Sequence, residues 1–120
     1  MEGHFNNGLT AAEAERLALL AEECAEVVQG VAKVLRHGYE SHNPTSAAVS
    51  PSNREALAKE VGHVRHAIDR MTLAGDLCDG EIEGAKQTKA DNISRWLHHQ
   101  DGTPASTPDT GGGSLGKVGE

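Results

Sequence analysis

Two short patterns constrain this chain more than any others: Thr10-Ala11-Ala12-Glu13 and Ser52-Asn53-Arg54-Glu55. Each has the form of a capping box, in which a hydroxyl and a carboxylate three residues later each accept the other residue's backbone N–H. Each stands just ahead of apolar residues at helical spacing. After the first come Leu17, Leu20, Cys24, Val28, Val31 and Leu35; after the second come Leu57, Val61, Val64, Ile68 and Met71. Gly38 and Gly75 follow the two runs, where a helix commonly ends in a left-handed residue. Arg36 and His37 suit the negative end of the first helix dipole. The expectation is one helix from Thr10 to about Gly38 and a second from about Ser52 to Ala74. A loop over 38–50 should join them, with Asn43-Pro44-Thr45-Ser46 as its clearest turn signal. A third, weaker helix is expected from about Asp79 to His99, packing through Ile82, Ala85, Ile93, Trp96 and Leu97. Gly80, Gly84 and Thr88 should interrupt it. The chain shows no internal repeat and no strand-like alternation. The fold class is therefore all-α, a bundle of about three to four helices per chain.

The core must be aliphatic, because the chain holds one Phe, one Tyr and one Trp. Three helices around a thin aliphatic stripe are marginal in a unit of this size. A homodimer or homotetramer that completes a larger bundle is the natural solution. Residues 101–120 are rich in Gly, Ser, Thr and Pro and read as a disordered tail, leaving residues 1–100 as the helical domain. A formal charge of −7 excludes a nucleic-acid polymer as partner, since no basic stripe is present to displace counterions. It does not exclude a nucleotide, whose phosphates metal ions can meet. No apolar run approaches the roughly 20 residues of a membrane span. Met1 to Asn7 is polar and has no signal-peptide pattern, so a cytoplasmic location with reduced Cys24 and Cys78 is expected.

The chemistry-bearing residues are acidic. Glu22-Glu23-Cys24-Ala25-Glu26 lies on the first expected helix and Glu60-Val61-Gly62-His63 on the second. Glu23 and Glu26 are three apart, as are Glu60 and His63, so each pair shares a helix face one turn apart. The ordinary role of a single such Glu is to lie on a solvated face. Two pairs that both flank the packing seam point elsewhere, because clustered carboxylates repel one another and lose hydration. A bound cation reverses that penalty. Carboxylate oxygens suit Mg²⁺ or Mn²⁺, and one imidazole shifts the preference toward Mn²⁺, Fe or Zn²⁺.

These motifs resemble the MazG-like all-alpha nucleoside triphosphate pyrophosphatases, a superfamily that includes dimeric dUTPases and phosphoribosyl-ATP pyrophosphatases. The stretches that carry the resemblance are Leu19-Leu20-Ala21-Glu22-Glu23-Cys24-Ala25-Glu26-Val27-Val28-Gln29 and Leu57-Ala58-Lys59-Glu60-Val61-Gly62-His63-Val64. Lys33-Val34-Leu35-Arg36-His37-Gly38-Tyr39 is similar to the phage-encoded branch. The similarity covers about residues 10–97. It implies a helical oligomer that uses Mg²⁺ or Mn²⁺ to hydrolyse the α–β phosphoanhydride bond of a (d)NTP, giving a monophosphate and pyrophosphate. It places Glu23, Glu26 and Glu60 as metal ligands, with His63 at the fourth position. Glu22 is implied as the leading acid, which either supports the metal ligands or polarises water. Lys89 and Arg95 are implied as phosphate contacts, with Asn92 on sugar or base. Tyr39 is a candidate ring for stacking on the base.

One departure matters. The family's second motif ends in Asp, where this chain has His63. Three outcomes stay open: use of a softer metal such as Mn²⁺, weak Mg²⁺ binding with low activity, or a relative without catalysis that keeps the fold as a nucleotide-binding or oligomerisation module. Glu60-x-x-His63 also has the form used twice in di-iron bundles, but one copy per chain would require two chains to complete that centre. Two scattered cysteines give no structural zinc pattern.

Overall fold

The computed structural model describes residues 6–42 and 50–100, all helix or connection, with no strand among them. The tail expectation for 101–120 and the turn expectation at 43–46 lie outside the described residues. The chain divides into two units, Met1–Cys78 and Asp79–Glu120. Among the described residues no helix is long and apolar enough to cross a membrane.

The first unit is an antiparallel pair of helices, α1 (Ala11–His37) and α2 (Asn53–Ala74). Both capping boxes form. Thr10 Oγ1 accepts the Glu13 N–H at 3.0 Å while Glu13 Oε1 accepts the Thr10 N–H at 2.8 Å. Ser52 and Glu55 make the same exchange at 3.1 and 2.9 Å. The N-terminus of α2 is further satisfied by the connection from α1. The Asn53 N–H donates to the Ser41 carbonyl at 2.7 Å and the Arg54 N–H to the Tyr39 carbonyl at 2.8 Å. Those amides would otherwise be orphan donors, so the end of α1 is fixed against the start of α2. Gly38 permits this turn, with φ at +88°, where a side chain would be strained.

At the far end Gly75 ends α2 in the left-handed region, with φ +90°. The Asp76 N–H reaches back to the Met71 carbonyl at 2.8 Å, the long bond of a Schellman closure. That closure presents Asp76 to Arg16 near the start of α1. The two side chains form a two-pronged pair, Nε to Oδ2 and Nη2 to Oδ1 at 3.1 Å. The hydrogen bond from Arg16 holds the Asp76 carboxyl below its ordinary value of 3.8.

The helices meet along a seam that is one residue removed from the apolar stripe expected on α1. The partly buried residues of α1 include Leu20, Glu23, Val27, Gly30 and Val34, and the partly or fully buried residues of α2 include Leu57, Glu60, Val64, Ala67 and Met71. Only Ala67 and Met71 are fully buried among the described residues. Of the expected α1 stripe, Leu20 alone is partly buried; Leu17, Cys24, Val28, Val31 and Leu35 are exposed. The reason is Gly30. A Cβ there would lie 3.2 Å from Leu57 Cδ1, so the missing side chain lets α2 approach on the Gly30 side. The α2 stripe fares better: Leu57, Val64, Ile68 and Met71 are partly or fully buried, and only Val61 is exposed.

The second unit contains α3 (Asp79–Asn92) and a 3₁₀ turn, Ile93–Trp96. The helix runs through Gly80, Gly84 and Thr88 instead of breaking there, and the α-geometry ends at Asn92, short of the expected His99. Asp79 and Glu81 in its first turn and Lys89 in its last complement the helix dipole. The Asn92 side chain donates to the Thr88 carbonyl at 2.8 Å, which answers one of the unpaired carbonyls at the end.

Candidate metal centre

Glu23 sits in the α1 seam and Glu60 in the α2 seam, so the packing of the hairpin itself brings their carboxylates together. His63 follows Glu60 by one turn and folds over the pair. Its Nδ1 lies 3.4 Å from Glu23 Oε1 and 3.2 Å from Glu60 Oε1. One ligand atom from each of the three lies within 4.8 Å of the others. The carboxylate side chains retain 19% and 18% of their exposure, whereas His63 retains 50%. Two partly buried carboxylates thus sit beside a more exposed imidazole. Lys59 is the nearest other cation, with Nζ 3.8 Å from Glu60 Oε2. That pair is long and partly solvated, and contributes little to offsetting the charge.

Glu26 does not join this group of three. It lines a small depression with Gln29, Gly30 and Lys33 of α1 and Asn53, Ala56 and Glu60 of α2. The volume is about 60 Å³, and the depression opens to solvent. Glu60 is common to the depression and the carboxylate–imidazole group, so the two are continuous. Glu22 is exposed on α1. Lys33, Gln29 and Asn53 were not among the expected site residues. The spacing held a signal for Lys33, which follows Glu26 by seven residues and therefore shares its face.

The remaining expected contacts are placed as follows. Tyr39 stands at the end of the hairpin, with the Arg54 guanidinium 4.2 Å above its ring. Arg54 also holds Glu40, Nη2 to Oε2 at 2.7 Å. One face of the ring is therefore already covered. Lys89, Asn92 and Arg95 belong to the second unit, where the Asn92 amide is engaged with Thr88. Cys24 and Cys78 are free thiols.

No known protein family, curated protein or solved structure matches this chain.

Proposed function

We propose that the chain is a metal-dependent nucleoside triphosphate pyrophosphohydrolase of the MazG-like type, with Glu23, Glu60 and His63 holding Mn²⁺ or Mg²⁺. The observation that carries this reading is the convergence of those three side chains, from two helices, within 4.8 Å. Their chemistry fits a divalent cation: two hard carboxylate oxygens and one imidazole nitrogen, a set that favours Mn²⁺ over Mg²⁺. Glu26, in the adjoining depression, is a third acidic group available to it. When bound, the ion would polarise the phosphoryl centre and neutralise charge on the leaving pyrophosphate. The chain's own residues do the rest. Lys33 offers a cation to phosphate oxygens beside Glu26 and Glu60. Glu22, exposed on the same helix, orients water. The partly buried carboxylates of Glu23 and Glu60 fix where the triphosphate tail is held.

A second reading is favoured by one observation. The His63 ring already lies against both carboxylates, with Nδ1 3.4 Å from Glu23 and 3.2 Å from Glu60, and this arrangement stands without a metal. A nucleotide-binding or oligomerisation module without turnover would need nothing more.

One experiment separates these readings. The protein is incubated with canonical and modified (d)NTPs in Mg²⁺ or Mn²⁺, and pyrophosphate is measured. The expected result is turnover that is faster with Mn²⁺ and falls more than about 100-fold in Glu23→Gln, at least the loss typical of groups that merely support a ligand. His63→Asp should raise the Mg²⁺-dependent rate. Nucleotide binding without pyrophosphate release in either metal would establish the second reading. Neither binding nor release would end both.

A further inference from the structure

The face of α2 that carries His63 continues into a pair of side chains that the carboxylate–imidazole group does not use. His63, His66 and Arg70 follow one another at steps of three and four, so they share one side of the helix. All three are exposed. The Arg70 Nε–H donates to His66 Nε2 at 3.0 Å. Side chains on a helix lean toward its N-terminus, and this bond fixes the Arg70 guanidinium back over the turn of His66. His63 stands only about 4.5 Å further along the axis, at 1.5 Å per residue. The guanidinium is therefore held beside the group formed by His63, Glu23 and Glu60, on its side toward the C-terminus of α2. What sets Arg70 apart is its acceptor. The Arg16 guanidinium is committed to Asp76 and that of Arg54 to Glu40. Arg70 forms no ion pair among the described residues. Its partner is an imidazole nitrogen, which accepts a hydrogen bond only when it carries no proton. Arg70 is thus positioned without being neutralised, and the donors on both of its terminal nitrogens are left for a ligand.

We infer that Arg70, steadied by His66, is a phosphate-binding residue of this site, gripping the phosphoryl group next to the one on the ion that Glu23, Glu60 and His63 would hold. This rests on the pyrophosphohydrolase reading for the ion itself. Three features of the pair suit such a ligand. A planar fork of N–H donors meets phosphoryl oxygens two at a time, which an ammonium does not. The offset of about one helical turn between the guanidinium and the carboxylate–imidazole group is spanned by linked phosphoryl groups and not by a single one. Lys33 lies in the opposite direction along α2, in the depression that runs from Glu60 to Asn53, so a cation stands on either side of the ion's place. His66 is a positioning residue. It touches Arg70 and not the phosphate, and it removes part of the side-chain freedom that a long Arg would otherwise lose on binding.

The test reads binding and not turnover. The full chain is titrated calorimetrically with Mn²⁺ alone, and then, in Mn²⁺, with inorganic triphosphate or orthophosphate. His66 and Arg70 are exposed, so substituting them leaves the seam intact. Arg70→Ala should weaken triphosphate binding about tenfold, the low end for a hydrogen bond to a charged group, and leave Mn²⁺ binding unchanged. Arg70→Lys, which keeps the charge and loses the fork, should recover only part of that loss. His66→Ala should weaken triphosphate binding about threefold, the cost of ordering one freed side chain. His66→Gln, whose side-chain carbonyl can accept the same N–H, should restore it. Arg65→Ala removes an equal charge from another exposed face of α2 and should change binding less than about twofold, since solvent screens it. Orthophosphate binding should not depend on Arg70. Triphosphate binding that is unchanged in Arg70→Ala, or that falls as far in Arg65→Ala, overturns the role of Arg70 while the ion site stands. Equal losses for orthophosphate and triphosphate overturn it too. Equal losses in His66→Gln and His66→Ala overturn the positioning by His66. A chain that takes up no Mn²⁺, or takes it up equally well as Glu23→Gln, removes the ion and the phosphate grip together.

Discussion

The packing of the hairpin can be tested with two glycines that differ in what surrounds them. Gly62 lies in the middle of α2, and a Cβ built there meets nothing within 4 Å. Gly62→Ala should therefore express only the helix-propensity gain, about 1 kcal/mol. With a urea slope of about 1–3 kcal/mol/M for a small protein, the midpoint should rise by roughly 0.3–1 M. Gly30→Ala gains the same amount from propensity. Its new methyl, however, stands 3.2 Å from Leu57 Cδ1 and 3.8 Å from Leu57 Cα, whereas carbon atoms rest at about 3.5–4.0 Å. Leu57 must move by a few tenths of an ångström, and overpacking costs about 1 kcal/mol at the low end. Gly30→Ala should come out near zero, about 1 kcal/mol below Gly62→Ala. In a Leu57→Ala background the obstruction is gone and the Gly30→Ala gain should return, a coupling of about 1 kcal/mol between neighbours. The assay is urea unfolding followed by circular dichroism at one fixed protein concentration, since self-association would shift the midpoint. If Gly30→Ala stabilises as much as Gly62→Ala, the close approach of the helices is wrong. If Gly62→Ala does not stabilise, position 62 is not an exposed helix interior.

Two further predictions concern the ends of the hairpin. Asp76 is held below its ordinary carboxyl value by the Arg16 hydrogen bond, so the unfolded chain binds this proton more readily than the folded one. Its contribution is complete above the unfolded value and is lost as pH falls from about 5 through the depressed folded value; Asp76→Asn should reduce stability at pH 7 and flatten the acid limb of a stability–pH curve, and an unchanged limb would remove the pair from the account. Thr10→Ala and Ser52→Ala should each cost about 1 kcal/mol. They cap opposite ends of an antiparallel pair, so the double variant should lose about 2 kcal/mol with little coupling, read from the same urea transitions.

The elements legible in the sequence are those set within four residues. Thr10–Glu13, Ser52–Glu55, Gly38 and Gly75 act on their own helix ends, and the ends of α1 and α2 stand where those residues place them. The end of α3 was not legible in the same way. Gly80, Gly84 and Thr88 each weaken a helix, but acidic residues at its start and the Gln87–Asp91 side-chain bond at 2.9 Å carry it through to Asn92. The contacts that fix the register of the hairpin were also out of reach. Arg16 and Asp76 are 60 residues apart, and nothing local to either one announces the other. Of the expected metal ligands, Glu23, Glu60 and His63 come together because the i,i+3 step and the seam both act on them. Glu26, one turn further along α1, lines the neighbouring depression.

The misplaced stripe on α1 and the acidic group have a common cause. Apolarity alone selects the row Leu17 to Leu35 as the face that should meet α2. Had that row been the seam, Glu23 would turn away by about 100° and its carboxylate would not reach Glu60. Gly30 and Glu23 instead occupy the seam, so the hairpin gives up aliphatic contacts in order to hold two carboxylates between its helices. The forgone burial is appreciable. Leu17, Val28, Val31 and Leu35 keep 42%, 68%, 40% and 81% of their exposure, and a fully buried aliphatic side chain contributes about 1.5–3 kcal/mol. Roughly half of that remains unused at each, about 1 kcal/mol apiece and about 4 kcal/mol in all. That sum is a large fraction of the whole stability of a small domain. A chain that spends its intrachain seam on charge therefore carries its unused aliphatic area on another face of α1.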